Sequence, residues 1–258
     1  MAAVVRDTWR QCRRRPLALA AIVLLAYLAP GSTGLPYARE VHGWAAVALV
    51  LLSIAAALLT AAGLLFLVAY LGSALSDQLA GVPEALAATR RMLLLGLAGL
   101  VLTWAAVVPT SMVAAAVGLA VFPIGMVEDA SLPQREYVLR LGVMGPLLAV
   151  ALALLALLVP RILLDGERDL GRAVALSLRV ARRAMPVCLL IGVLQAAPMV
   201  ARIQAPLPMT SPLWAVLGLL TLFGMAMANA LLWHSRAWQL QEPGRPERPP
   251  VPGQHAGG

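Results

Sequence analysis

Residues 44–71, WAAVALVLLSIAAALLTAAGLLFLVAYL, hold no charged side chain. A helix that is apolar on every side cannot face water. About 20 such residues cross a hydrocarbon core roughly 30 Å thick, so this run alone restricts the chain to a membrane setting. Five more apolar runs follow the same logic: 17–29, 92–122, 138–159, 185–200 and 212–233. Hydrophobic residues make up 61% of the chain and charged residues 12%. A soluble domain is nearer half apolar and a quarter charged. The expected fold is therefore all-α: a polytopic integral membrane helix bundle of about six transmembrane helices, occupying 1–240. The run 92–122 exceeds the length a span needs, and Pro109 predicts a kink within it.

Arginine placement orients the bundle. All 20 basic residues are arginine. Arg6, Arg10 and Arg13 to Arg15 precede the first run; Arg90 and Arg91 separate the second from the third. Arg161, Arg168, Arg172, Arg179, Arg182 and Arg183 separate the fourth from the fifth, and Arg236, Arg245 and Arg248 follow the sixth. The alternate loops are poorer in arginine, and one, VEDASLPQREY, is acidic. The positive-inside rule then predicts cytoplasmic N- and C-termini and an even number of spans. Topology also accounts for the net charge of +8, which in a soluble protein would suggest nucleic acid. The Leu, Ala, Val, Gly and Arg bias reads as a GC-rich bacterial genome and predicts the cytoplasmic (inner) membrane. Tyr27, Trp44, Tyr137, Trp214, Trp233 and Trp238 fall where aromatic belts are expected.

The N-terminus has a second reading. Three arginines before PLALAAIVLLAYLAP resemble a signal peptide, but no A-x-A-like site follows closely, so a retained first helix is expected. The tail 241–258, rich in proline and glycine, is expected to be disordered.

The basic segment GRAVALSLRVARR interrupts this apolar chain. Laid on one continuous helix from 161 to 183, Arg161, Arg168, Arg172, Arg179 and Arg183 share a narrow wedge at about 100° per residue. Leu170, Val174, Leu178 and Ala181 lie opposite, while Leu176 breaks the pattern. This predicts a basic amphipathic segment along the cytoplasmic interface, apolar face in lipid and arginines among phosphates. Asp165 and Asp169 are placed to pair with arginines at i+3 or i+4. GVPEALAATRRMLLL, 81–95, reads as a diverged copy. Aligning Ala85 with Ala173 brings Thr89 onto Ser177 and Arg91 onto Arg179. The expected repeat is span, turn, basic segment, span, over 44–117 and 138–200.

RILLDGERDLGRAVALSLRVARR is similar to the cytoplasmic segment of bacterial multi-span proteins that include the membrane domain of glycerophosphoryl diester phosphodiesterases and YciC-like proteins. Gly171, Ala173, Ser177, Arg179 and Arg183 occupy the matching places, and DTWRQCRRRPLALAAIVLL resembles the usual start. The resemblance covers 44–200 and the N-terminus, with loose motifs. It implies a fold and a compartment. It implies no hydrolase activity, since the chain has no room for the soluble phosphodiesterase domain.

Candidate chemistry is sparse. No Asp, Glu, Lys or His lies mid-span, and no GxSxG, HExxH or Walker-type loop occurs. No catalytic residue, metal site or cofactor is predicted, and His42, His234 and His255 each stand alone. Cys12 and Cys188 lack metal-ligand or CxxC spacing and read as apolar fillers. Ser53, Thr60, Thr103, Thr110, Ser111 and Thr221 are expected to bond their own backbone or a neighbouring helix. VVPTSM, 107–112, reads as a plain kink, with a broken helix lining a cavity as the alternative. Gln195 and Asn229 cost more to bury and read as helix–helix ties or as ligand or pore contacts. Gly96, Gly99, Gly118, Gly142, Gly145, Gly192 and Gly218 are expected to allow close helix approach. Glu128, Asp129 and Glu136 read as a solvated acidic loop. Two functions remain open: a non-enzymatic scaffold or accessory membrane subunit, or a permease component for an apolar or amphipathic solute. In the first, Arg172, Arg179, Arg183, Arg90 and Arg91 hold anionic lipid or an acidic partner. A membrane-protein partner or homo-oligomer is compatible with either; nucleic acid is not expected.

Overall fold

The computed structural model describes residues 1–28, 43–75, 81–121, 132–204 and 211–240. Among them there is no strand; the chain is an all-α helical bundle. Its helices are α1 (Ala2–Arg14), α2 (Pro16–Leu28), α3 (Trp44–Gly72), α4 (Val82–Arg91), α5 (Leu93–Ala105) and α6 (Val107–Val121). They continue as α7 (Leu132–Leu155), α8 (Leu158–Leu164), α9 (Leu170–Arg183), α10 (Met185–Gln204) and α11 (Leu213–Leu240).

Four stretches are long and apolar enough to cross a membrane: Trp44–Leu75, Leu93–Val117, Gly142–Leu164 and Leu213–Arg236. A fifth is reached if α9 and α10, which meet at 114°, form one broken span. The first expected span is shorter. Its 13 residues in α2 reach about 20 Å at 1.5 Å per residue, against a core of about 30 Å.

Prolines set two of the breaks. A proline ring clashes with the carbonyl four residues earlier and donates no N–H. Pro109 therefore acts on Ala105, where α5 ends, and Pro160 acts on Ala156, between α7 and α8. The kink expected at Pro109 thus falls one turn before it. Pro146 and Pro198 lie inside α7 and α10 without ending them.

A short basic helix, a one-residue break and an apolar helix follow one another three times among the described residues. The breaks are Arg15 (φ −127°, ψ 62°), Met92 (φ −111°, ψ 15°) and Ala184 (φ −123°, ψ 36°). At each, the break residue's N–H still bonds the carbonyl four residues back, at Gln11, Ala88 and Val180. The two residues before each break are arginines: Arg13–Arg14, Arg90–Arg91 and Arg182–Arg183. The helix ends therefore set Arg91 on Arg183, Ala85 on Ser177 and Thr89 on Ala181. This differs by four residues from the alignment of Arg91 with Arg179. A slip of four nearly completes a 3.6-residue turn, so both registers present the same face.

Packing follows the same order. Each basic helix lies on the last apolar helix of the preceding unit: α4 on α3, α9 on α7 and α8, and α1 on α11. The last pairing closes the cycle. Segments 44–117 and 138–200 each contain the order long apolar helix, basic helix, apolar helix; α11 followed by α1 and α2 repeats it across the chain ends.

Two glycines bring helix backbones close together. A β-carbon at Gly192 on α10 would overlap the Ala149 carbonyl of α7, and one at Gly218 on α11 would press on Ala26 and Ile22 of α2. Gly96 and Gly99 likewise lie against Leu65 and Ile162. Gly142 and Gly145 have open space beside them and do not serve close approach.

Candidate functional site: the basic helix ends and an axial cavity

The basic helices carry the arginines expected to act, but α9 is oriented differently from the expectation. Its apolar face is buried in the protein rather than in lipid. Ala173, Leu176, Val180 and Ala181 pack inside the bundle, while Val174 and Leu178 are half-buried. Leu176, the apparent misfit on the wheel, belongs to the buried face. Arg172, Arg179, Arg182 and Arg183 are exposed, as are Arg90 and Arg91 on α4 and Arg13 and Arg14 on α1.

Arg161 does not join that face. The helix through it ends at Leu164; Gly166, at φ +65°, turns the chain, and α9 begins at Leu170. The left-handed backbone there is open to glycine without steric cost. Arg161 is 2% exposed, and its Nη1 lies 3.4 Å from Asp165 Oδ2. Asp165 also accepts from Arg236 of α11, at 2.9 Å from Nε and 2.7 Å from Nη2. Asp169 makes no i+3 ion pair; its Oδ1 caps α9 by accepting from the backbone N–H groups of Gly171 (2.9 Å) and Arg172 (3.2 Å), the usual role of an N-cap Asp. The Arg172 side chain instead meets Glu167 at 3.5 Å.

The arginine-bearing N-terminus is not merely a flank of the first apolar run. In the fold, α1 is a docked helix. Its Gln11 Nε2 donates to Ala226 O at 2.8 Å, and Asp7 meets His234 Nε2 at 2.9 Å, so His234 is not isolated. Arg14 Nη1 donates to Ala74 O and Arg15 Nη2 to Ser73 Oγ, at 3.0 and 3.1 Å. These cations sit at the carbonyl end of α3, where the helix dipole favours them. The Arg15 guanidinium also lies 4.4 Å from the Tyr70 ring centre, within cation–π range. The signal for this helix was present in Val4, Thr8, Gln11 and Arg15, which recur at helical spacing and are all buried.

The last apolar helices of the three units, α3, α8 and α11, converge on a cavity of about 150 Å³. Ser73, Leu164, Asn229, Trp233 and Arg236 are among its lining residues. Asn229 is 1% exposed; its Nδ2 donates to Val68 O of α3 at 2.9 Å, while its Oδ1 has no partner among the described residues. It is therefore a helix–helix tie with one open acceptor. The space is ample for water, and a buried acceptor calls for one. Gln195 does not reach this cavity. It lies half-buried on α10 over Gly224 of α11.

The hydroxyls of Ser53, Thr60, Thr103, Thr110, Ser111 and Thr221 bond carbonyls of their own helices. Ser177 is the exception. It accepts from Leu157 N–H at 3.3 Å and donates to Leu154 O at 2.9 Å, across the break caused by Pro160. Cys12 and Cys188 are buried thiols. Burial raises the Cys12 pKa above the usual thiol range, partly opposed by a backbone hydrogen bond. Trp44 and Trp233 are exposed near helix ends, whereas Trp214 is buried in the bundle. The side chains of Tyr27, Tyr137, Trp238, Gly118, His42 and His255, the acidic loop with Glu128, Asp129 and Glu136, and the tail 241–258 lie outside the described residues.

No protein-family model, curated protein or solved structure matches the chain.

Proposed function

We propose that this chain is a non-enzymatic integral membrane protein, a scaffold or accessory subunit whose basic rim holds anionic lipid. One observation carries the reading: three exposed arginine pairs, each one residue before an apolar helix begins. A helix corner that passes from guanidinium to hydrocarbon within one turn suits the headgroup boundary. The proposed setting is a bacterial inner membrane with both termini cytoplasmic, supported by the arginine distribution. The likeness of 161–183 to the membrane domain of glycerophosphoryl diester phosphodiesterases and to YciC-like proteins agrees with that setting. A membrane-protein partner or a second copy of the chain fits the scaffold role.

The test is thermal unfolding in detergent with added lipid. Phosphatidylglycerol is expected to raise the midpoint more than phosphatidylcholine, and glutamine at any one arginine pair to reduce that difference. Equal stabilisation by the two lipids, unchanged in all three variants, removes the reading.

The second reading, a permease component for an apolar or amphipathic solute, draws on Asn229 and its open acceptor in the axial cavity. Flux lost in Asn229→Leu with assembly intact would favour it.

A further inference from the structure

A groove of about 340 Å³ is lined by residues of α1, of the corner between α9 and α10, and of α11, on which α1 packs. Its floor is apolar: Val4 from α1, Ala184 and Val187 at the corner, and Leu231 from α11. Val4, Ala184 and Val187 keep 6%, 7% and 8% of their surface, while Leu231 is fully buried. Its rim is cationic. Arg183 lines the groove and Arg182 precedes it in the chain, both exposed, and His234, which meets Asp7, lines it as well. Pro186 continues the wall onto α10, the apolar helix leaving the corner.

We propose that this groove seats one anionic phospholipid, its phosphate on Arg183 with Arg182 next to it in the chain, and its first methylenes on Val4, Pro186 and Val187. Charge complementarity selects the occupant. The groove joins Arg183, backed by the neighbouring Arg182, to an apolar floor at the start of an apolar helix, and a phospholipid carries that same order from phosphate to chain. The seat draws on α1 of the first unit and on α9 to α11 of the last, so the lipid bridges the two ends of the cycle. The inference rests on the anionic-lipid reading and narrows it. General attraction at three corners gives a diffuse lipid shell, whereas a seat gives one retained molecule.

The experiment is native mass spectrometry of the full chain, extracted in detergent from vesicles of equal phosphatidylglycerol and phosphatidylcholine. The wild type is expected to keep one phosphatidylglycerol after the shell is stripped. Arg182→Gln with Arg183→Gln should weaken its retention about thirtyfold, at about fivefold per arginine. Val187→Phe, which fills the groove and keeps both arginines, should also expel it. Arg90→Gln with Arg91→Gln should leave it bound. A retained lipid that survives Val187→Phe, or that is lost equally from the Arg90 and Arg91 variant, overturns the seat while sparing the general reading. Equal capture of both lipids by the wild type overturns the general reading and the seat together.

Discussion

Ser177 Oγ on α9 donates to the Leu154 carbonyl of α7 at 2.9 Å and accepts from the Leu157 N–H at 3.3 Å. Pro160 interrupts the helix there, and one hydroxyl from the neighbouring basic helix satisfies both backbone groups. An apolar environment offers no water to do this, so serine side chains serve where helices break. Ser177→Ala is expected to destabilise the protein by about 1–2 kcal/mol. Hydrogen exchange should rise at residues 154–158 first. An unchanged midpoint and unchanged exchange would refute this role.

Gly192 is the point of closest approach between α10 and α7. Its replacement by alanine forces a β-carbon into the Ala149 carbonyl. The helices must separate, at a cost of about 1–3 kcal/mol. Gly145→Ala, with open space around it, should be neutral. Thermal unfolding of the two variants side by side checks the contrast.

Asp165 receives both the buried Arg161 and the half-buried Arg236. Removing one partner of a buried pair typically costs about 3–5 kcal/mol. Arg236 is 37% exposed, so solvent screens its share, and Asp165→Asn is expected at the low end, about 3 kcal/mol. A loss below about 1 kcal/mol would show that Asp165 is not what holds α8 to α11.

Cys12 is buried between α1 and the bundle, and burial raises its pKa. A raised pKa leaves less thiolate at any given pH, and the thiolate is the reacting species. Alkylation of native protein at pH 8 should therefore be slower than that of a free thiol, and should become fast when α1 is released. Asp7→Asn, which weakens the tie to His234, is expected to accelerate it. Mass spectrometry of the alkylated Cys12 peptide reads the rate; fast labelling of the native wild type would mean that α1 is not docked.

Much of this was readable in the residues. The apolar run 44–71 required a membrane-type helix, and Pro109 marks the break between α5 and α6 through a local clash that needs no tertiary context. The hydroxyls of Ser53 and Thr60 met their own backbone, as apolar surroundings require. Four features were not readable. A helical wheel shows that α9 has two faces but not whether lipid or protein covers the apolar one; Ala173 and Ala181 are small because α7 and α8 press on them. Arg161 looked like its neighbours in the basic segment because Gly166 hides a change of direction within an otherwise continuous pattern. The third basic helix escaped because α1 pairs with α11 across the whole length of the chain. The Asn229 cavity needs three helices brought together and has no local signature.

The central claim is that the three arginine pairs lie on one membrane face. In a Cys12→Ser, Cys188→Ala background, single cysteines at Arg13, Arg90 and Arg182 can be labelled in sealed vesicles of one orientation with a membrane-impermeant thiol reagent. The account predicts that all three label from the same side and none from the other. Labelling of any one from the opposite side would contradict it.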